Sequence, residues 1–161
     1  MALKVGDVAP DFKVPATTGD DQADFRLASY RGKKNVVIVF FPAAFTSVCS
    51  SELKGFQADL SKFAGYGAEV VGISTDSVPA QTAFQEKLGG LSFPLASDRW
   101  PYAKTGEAYG VFPATKHEFP AFNDRAIFVV DKQGKIAWFK VYPAAEKPEV
   151  NGVLAELKQL G

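Results

Sequence analysis

Residues 35–49 read NVVIVFFPAAFTSVC, and this stretch decides the fold. Its first seven positions, 35–41, form a β-branched and aromatic run after the opening Asn35, the pattern of a strand covered on both faces. Pro42 stops the run, because proline has no N–H to give a ladder. A helical pattern follows from Val48 to Ala64, where Val48, Leu53, Phe56, Leu60 and Phe63 recur at helical spacing and Gly65 is the stop. Cys49 therefore lies where a central strand ends and a helix begins. In open α/β sheets that carboxyl-end edge is where ligands bind.

Working outward, AEVVGIST (68–75) reads as a second buried strand. The right-handed crossover rule places it beside the first or nearly so. VPAQTAFQEKLGG (78–90) has Pro79 near a helix start and Gly89-Gly90 past its end. SFPLASD (92–98) is a short extended piece and YAKTGEAYGVF (102–112) a weak helix. RAIFVVD (125–131) and KIAWFKV (135–141) flank Lys132-Gln133-Gly134, a hairpin signal. An amphipathic helix from about Pro148 to Leu160 closes the chain, while residues 11–34 read as short strands with a turn at Gly19-Asp20-Asp21. The expected architecture is one α/β domain over residues 1–161: a central mixed β-sheet flanked by helices, with an N-terminal β extension.

Composition narrows the function classes. The 161 residues suit one ordinary domain, and 47% hydrophobic against 22% charged residues is a soluble globular profile. Eighteen basic and eighteen acidic residues cancel without a Lys/Arg block, which argues against a nucleic-acid partner. The longest apolar run, Val36 to Phe45, is broken by Pro42 and is about half of the ~20 residues a membrane helix needs. The opening MALKVGDVAPDF lacks the apolar core of a signal peptide. No membrane partner and a cytoplasmic location are the expectations. One Cys and one His, His117, leave no intramolecular disulfide and no cysteine-rich zinc site, so no metal and no cofactor are expected.

The lone sulfur has two readings at this level. Free cysteine often packs as a small hydrophobe. Against that, the opening turn of a helix offers unpaired N–H groups and the positive end of the macrodipole, which favour a thiolate. Thr46 and Ser47 can cap the helix while keeping a hydroxyl near the sulfur, and Pro42 stiffens the loop.

Pro42, Thr46 and Cys49 also spell P-x-x-x-T-x-x-C after a buried strand, which resembles the active-site signature of the peroxiredoxins. Arg125 opens RAIFVVD, similar to that family's R-x-x-F-x-x-D strand. VGDVAPDFKV (5–14) resembles its A-P-D-F segment, and SDRWPYAKTGEAYGV (97–111) its S-D…Y-G-V segment. The resemblance covers nearly the whole chain and is strongest to the one-cysteine members of the AhpE-type and bacterioferritin-comigratory groups. Ser50 stands where many members carry proline, and Lys54 where some relatives carry a resolving cysteine.

The resemblance implies a thioredoxin-like fold and a thiol-dependent peroxidase acting on hydrogen peroxide or organic hydroperoxides. Cys49 is then the nucleophile, oxidised to a sulfenic acid, and Arg125 reaches across the sheet to the sulfur and stabilises the leaving oxygen. Thr46 hydrogen-bonds the peroxide with help from the backbone N–H groups of Val48 and Cys49. Pro42 shields the sulfur from water. Glu52 pairs with Arg125, although a favourable charge near a helix N-terminus explains that residue almost as well.

With no second cysteine, an external low-molecular-weight thiol or a thioredoxin- or glutaredoxin-type reductant recycles the site. A homodimer is also implied. Phe45, Trp100, Tyr102 and Phe112 are candidates for the pocket mouth, a dimer contact or the core, and His117 receives no role. Two alternatives stay open: a monothiol disulfide oxidoreductase, and a non-catalytic thioredoxin-fold module that senses oxidation or binds a partner.

Overall fold

β3 (Asn35–Phe40) has every residue buried, and its alternate side chains enter two different cores. Val36, Ile38 and Phe40 face one cluster, while Val37, Val39 and the following Phe41 face the other. Successive strand residues point to opposite faces, so a strand covered on both sides must be apolar throughout. That is the physical content of the NVVIVFF run.

The structure is a computed structural model that describes residues 3–18, 21–115 and 121–160. The elements are β1 (Lys13–Thr18), β2 (Asp21–Arg26), a 3₁₀ turn (Leu27–Tyr30), β3, α1 (Ser47–Ala58), α2 (Leu60–Gly65) and β4 (Ala68–Ser74). Then come α3 (Val78–Lys87), β5 (Leu95–Ser97), α4 (Lys104–Ala108), β6 (Arg125–Val130), β7 (Ile136–Tyr142) and α5 (Val150–Gln159). The strands form one seven-stranded mixed sheet in the order β2-β1-β5-β4-β3-β6-β7. β3 pairs parallel with β4, so the two strands expected side by side or nearly so are direct neighbours, and antiparallel with β6. β1 and β2 form the expected N-terminal extension, which joins the sheet through Ala16 opposite Ala96 of β5.

One face of the sheet is covered by α1, α2, α3 and α5 through Leu53, Phe56, Phe63, Phe84, Val153 and Leu157. The other is sealed by the N-terminal segment and Tyr109, with an aromatic cluster in which the Phe128 ring lies 5.1 Å from Tyr109, 5.2 Å from Phe139 and 5.9 Å from Phe40. Gly72 in β4 permits close packing near the site. A Cβ there would lie 2.6 Å from Leu95 Cδ2 and 3.2 Å from the Phe41 ring.

The structure departs from the sequence reading at several boundaries. The single helix expected over 48–64 is two, because Asp59 leaves helical geometry at φ −107°, ψ 15°. The Phe56 and Phe63 rings still pack 5.4 Å apart across the break, so the apolar spacing survives an interruption it does not reveal. The strand expected over 35–41 ends at Phe40, although the Phe41 N–H still donates to the Ile73 carbonyl at 3.0 Å. The last helix starts at Val150 rather than near Pro148. Gly19-Asp20 of the expected turn and His117 lie outside the described residues.

Candidate active site

The loop between β3 and α1 carries the site, and its backbone is unusual at one residue. Phe45 has φ +65°, a left-handed conformation rarely adopted by a residue with a bulky side chain. Its ring is half exposed and rests 5.3 Å from the buried Phe84 ring. Thr46 follows in extended geometry at the N-cap of α1.

Its hydroxyl does not cap the helix, contrary to expectation; it donates to the Ala43 carbonyl at 2.9 Å, a partner inside the loop. The Thr46 carbonyl accepts from the Ser50 N–H at 3.0 Å and the Ser50 hydroxyl at 2.7 Å. The bond to Ala43 leaves the lone pairs of Thr46 Oγ1 free to accept a proton donor from an incoming molecule. Ser47, the other capping candidate, is exposed with no cap bond.

Val48 and Cys49 are the second and third residues of α1, so their N–H groups have no acceptor within the helix. Cys49 is a free thiol with no exposed surface. Arg125, the first residue of β6, is brought beside it because β6 pairs with β3 at Phe40–Ala126, just where the chain turns out of the strand into the Cys49 loop. Arg125 Nη1 lies 3.3 Å from Cys49 Sγ and donates to Glu52 Oε1 at 2.9 Å. Nε and Nη2 donate to the Ala144 carbonyl at 3.1 and 2.8 Å. These bonds use four of the five guanidinium N–H groups and leave one on Nη2 for a ligand. The Ala144 contact was invisible to sequence reasoning, since a backbone carbonyl after β7 carries no residue signature.

Glu52 stands one turn beyond Cys49, and i,i+3 spacing puts both on the same helix face. Its carboxylate is fully buried and paired with Arg125, and Oε2 has no hydrogen-bond partner. The structure thus brings Cys49, Arg125 and Glu52 into one buried contact. Burial raises the Glu52 carboxyl to about 7, with the Arg125 charge and hydrogen bond, and then Lys147, pulling in the opposite direction. Pro42 is buried in the loop, and the Thr46 side chain is exposed beside it.

Of the four aromatic residues set aside for a pocket or contact, Phe45, Trp100 and Tyr102 are exposed, Trp100 almost fully, and none belongs to the core. Phe112 is half-buried, with its ring 5.8 Å from Tyr102. Among the described residues no group of three or more His, Cys, Asp or Glu side chains could hold a metal ion, and no helix is long and apolar enough to cross a membrane.

The raised Glu52 acidity has a measurable sign. A carboxyl that binds its proton more tightly in the folded than in the unfolded chain loses stability as pH climbs from the unfolded value near 4.5 to the folded value near 7. Above that the cost is constant. Glu52→Gln should remove this loss, on the order of 3 kcal/mol by linkage. Denaturant midpoints at pH 5 and pH 8 check it: the wild-type chain falls further than the variant across that interval, and parallel profiles count against the assignment.

The model of the AhpC/TSA family matches residues 5–139. The chain is 36% identical over 144 residues to alkyl hydroperoxide reductase E of Mycobacterium tuberculosis, covering 89% of each protein. It is 37% identical over 140 residues to peroxiredoxin tpx1 of Schizosaccharomyces pombe, covering 83% of this chain and 69% of that one. Among solved structures it superposes on the reduced 2-Cys peroxiredoxin of Plasmodium vivax with a TM-score of 0.87 at 28% identity, over 97% of this chain and 81% of that one. Mycobacterium tuberculosis AhpC superposes with a TM-score of 0.85 at 26% identity, over 99% of both chains.

Proposed function

Because this chain belongs to the AhpC/TSA family of peroxiredoxins and is a thiol-dependent peroxidase of thioredoxin-like fold with one cysteine, we propose that Cys49 carries the reaction in the Arg125–Glu52 setting. The observation that carries this reading is the single guanidinium nitrogen 3.3 Å from the sulfur and 2.9 Å from the buried carboxylate. A planar cation held from three sides cannot drift from the sulfur, and it presents charge where the reaction develops it.

Cys49 attacks as the thiolate on one oxygen of the O–O bond. An S–O bond forms, the O–O bond breaks, and the sulfur is oxidised by two electrons to a sulfenic acid. The other oxygen leaves with the bonding pair and takes up a proton, giving water or an alcohol. The free Nη2–H of Arg125 and the N–H groups of Val48 and Cys49 donate to the peroxide oxygens, while Thr46 Oγ1 accepts from the peroxide O–H. Pro42 excludes water from the loop side.

Recycling then needs two equivalents of an external thiol. The first condenses with the sulfenic acid, releasing water and leaving a mixed disulfide. The second reduces that disulfide and restores Cys49. A low-molecular-weight thiol or a thioredoxin- or glutaredoxin-type protein supplies them. The substrate class is hydrogen peroxide or an alkyl hydroperoxide, the latter in keeping with the name of the mycobacterial relative. The exposed Phe45, Trp100 and Tyr102 support a homodimer contact, since aromatic residues are enriched at such surfaces. The cytoplasm, where thiols are kept reduced, is the compartment this cycle needs. Dithiol exchange is disfavoured, because the place of a second cysteine in C-x-x-C is taken by the ion-paired Glu52.

Rapid mixing of the reduced protein with hydrogen peroxide or an alkyl hydroperoxide, followed by tryptophan fluorescence and intact mass, tests the reading. Fast loss of one thiol per chain with one oxygen gained at Cys49 is expected. The Cys49→Ser variant gives no signal. Reaction no faster than that of a free thiol sinks the proposal.

A further inference from the structure

The loop that presents Thr46 and the first turn of α1 is held from outside by Asp76, which lies just beyond the end of β4. Asp76 Oδ2 accepts the Ala44 N–H at 2.9 Å, one residue before the left-handed Phe45. The same oxygen accepts the Ser74 hydroxyl at 2.7 Å. Ser74 Oγ in turn accepts from the buried Gln81 side chain at 3.0 Å, and Gln81 is anchored to the Ala96 carbonyl at 2.9 Å. The backbone of Asp76 is fixed as well, because the Ser97 hydroxyl donates to its carbonyl at 2.6 Å. The carboxylate is thus held through Ser74 of β4 and Gln81 of α3, its backbone through Ser97 of β5, and the oxygen that Ser74 binds also grips the active-site loop.

We propose that Asp76 is a positioning residue for peroxide reduction, acting through the Ala44 N–H to hold Phe45 in its left-handed conformation and so fix the direction in which Thr46 and the first turn of α1 face the substrate. A left-handed bulky residue is strained and persists only where its surroundings over-determine it. Two contacts do so here. One is the half-exposed Phe45 ring on the buried Phe84; the other is the Asp76 bond on the adjoining peptide. Without the bond, Ala44 loses an oriented partner and the backbone at Phe45 relaxes toward negative φ. That rotation swings the Thr46 hydroxyl and the Val48 and Cys49 N–H groups together. Misplacement by about 1 Å costs on the order of 10²-fold in rate where reacting groups must be aligned. The contact of Arg125 with the sulfur belongs to β6 and does not run through Asp76.

The inference rests on the peroxidase reading, and the test keeps the two apart. Second-order rates with hydrogen peroxide are measured for wild type, Asp76→Ala and Asp76→Asn, beside the rate of Cys49 alkylation by iodoacetamide, which needs an accessible thiolate but no aligned peroxide. Asp76→Ala should lose about 10- to 100-fold against peroxide while its alkylation rate stays within about twofold of wild type. Asp76→Asn keeps an acceptor oxygen for Ala44 and should recover most of the rate. A wild-type peroxide rate in Asp76→Ala overturns the proposal, as does an equal fall in both reactions, which marks general loosening of the fold. Asp76→Asn as slow as Asp76→Ala also overturns it, because charge rather than the hydrogen bond is then at work. A wild-type protein inert to peroxide removes the peroxidase reading instead.

Discussion

Arg125→Ala should reduce peroxide about 10²- to 10³-fold more slowly than the wild-type chain, the usual loss when one preorganised charged donor is taken from a developing negative charge. The same change removes the only cation paired with the buried Glu52 among the described residues. Breaking one partner of such a pair typically costs about 3–5 kcal/mol. Here the cost depends on pH, and its direction follows from the Glu52 acidity. Arg125 opposes the burial that lifts the carboxyl to about 7, so its loss lifts the carboxyl further. At pH 5 the group holds its proton in both proteins. At pH 8 the wild-type carboxylate is ionised and paired, whereas the variant must keep a proton there at a cost or bury a bare charge. Urea melts of both proteins at the two pH values should show the larger gap at pH 8, and the double change with Glu52→Gln should narrow it. Equal gaps would mean that Glu52 is ionised throughout or that the pair contributes nothing.

Phe128→Ala should cost about 3–5 kcal/mol, the range for emptying an aromatic side chain from a packed core. Phe128 is 1% exposed and touches rings from β3, β7 and the segment after α4, so no single neighbour can collapse into the space. For a domain of this size each kcal/mol moves the melting temperature by roughly 2–4 °C, so a drop of about 6–20 °C is expected by circular dichroism. Val5→Ala, at 60% exposure, is the contrasting control and should stay within about 0.5 kcal/mol of wild type. A Phe128 variant melting with the wild type would mean that the aromatic cluster is not a packed unit.

The central strands were legible because their burial leaves no choice of residue. β3, β4 and β6 lie inside the sheet, and a strand covered on both faces must read as a continuous apolar run. The β6–β7 hairpin announced itself through Gly134, whose φ of +81° suits glycine at the turn. Interruptions within buried faces were not legible. Asp59 splits a helix while the apolar periodicity continues across it, so the pattern reports which side faces inward and not whether the backbone is continuous. At the site, Cys49 could be located from its strand-to-helix position, and the Arg125 contact only through the resemblance, because nothing local ties residues 76 positions apart. Glu52 could not be decided from sequence, since an acid near a helix start and an acid buried against arginine look the same in one dimension. Asp76 left no trace for a related reason: in STDS it reads as an ordinary residue before a helix cap, and its grip on Ala44 exists only after β3 and β4 align.

The placement of β6 beside β3 also sets when activity can arise. β3 can pair with β4 after closing a modest crossover, but its other neighbour arrives from more than half the chain away. Pairings between distant segments pay their loop-closure entropy before any contact offsets it, and they form slowly. Cys49 can sit at the head of its helix in a partly folded chain, yet Arg125 reaches it only once β6 has joined. In refolding, recovery of peroxide reduction should therefore trail the recovery of helical signal. A freshly made chain emerging from synthesis carries an oxidisable sulfur well before it carries an enzyme.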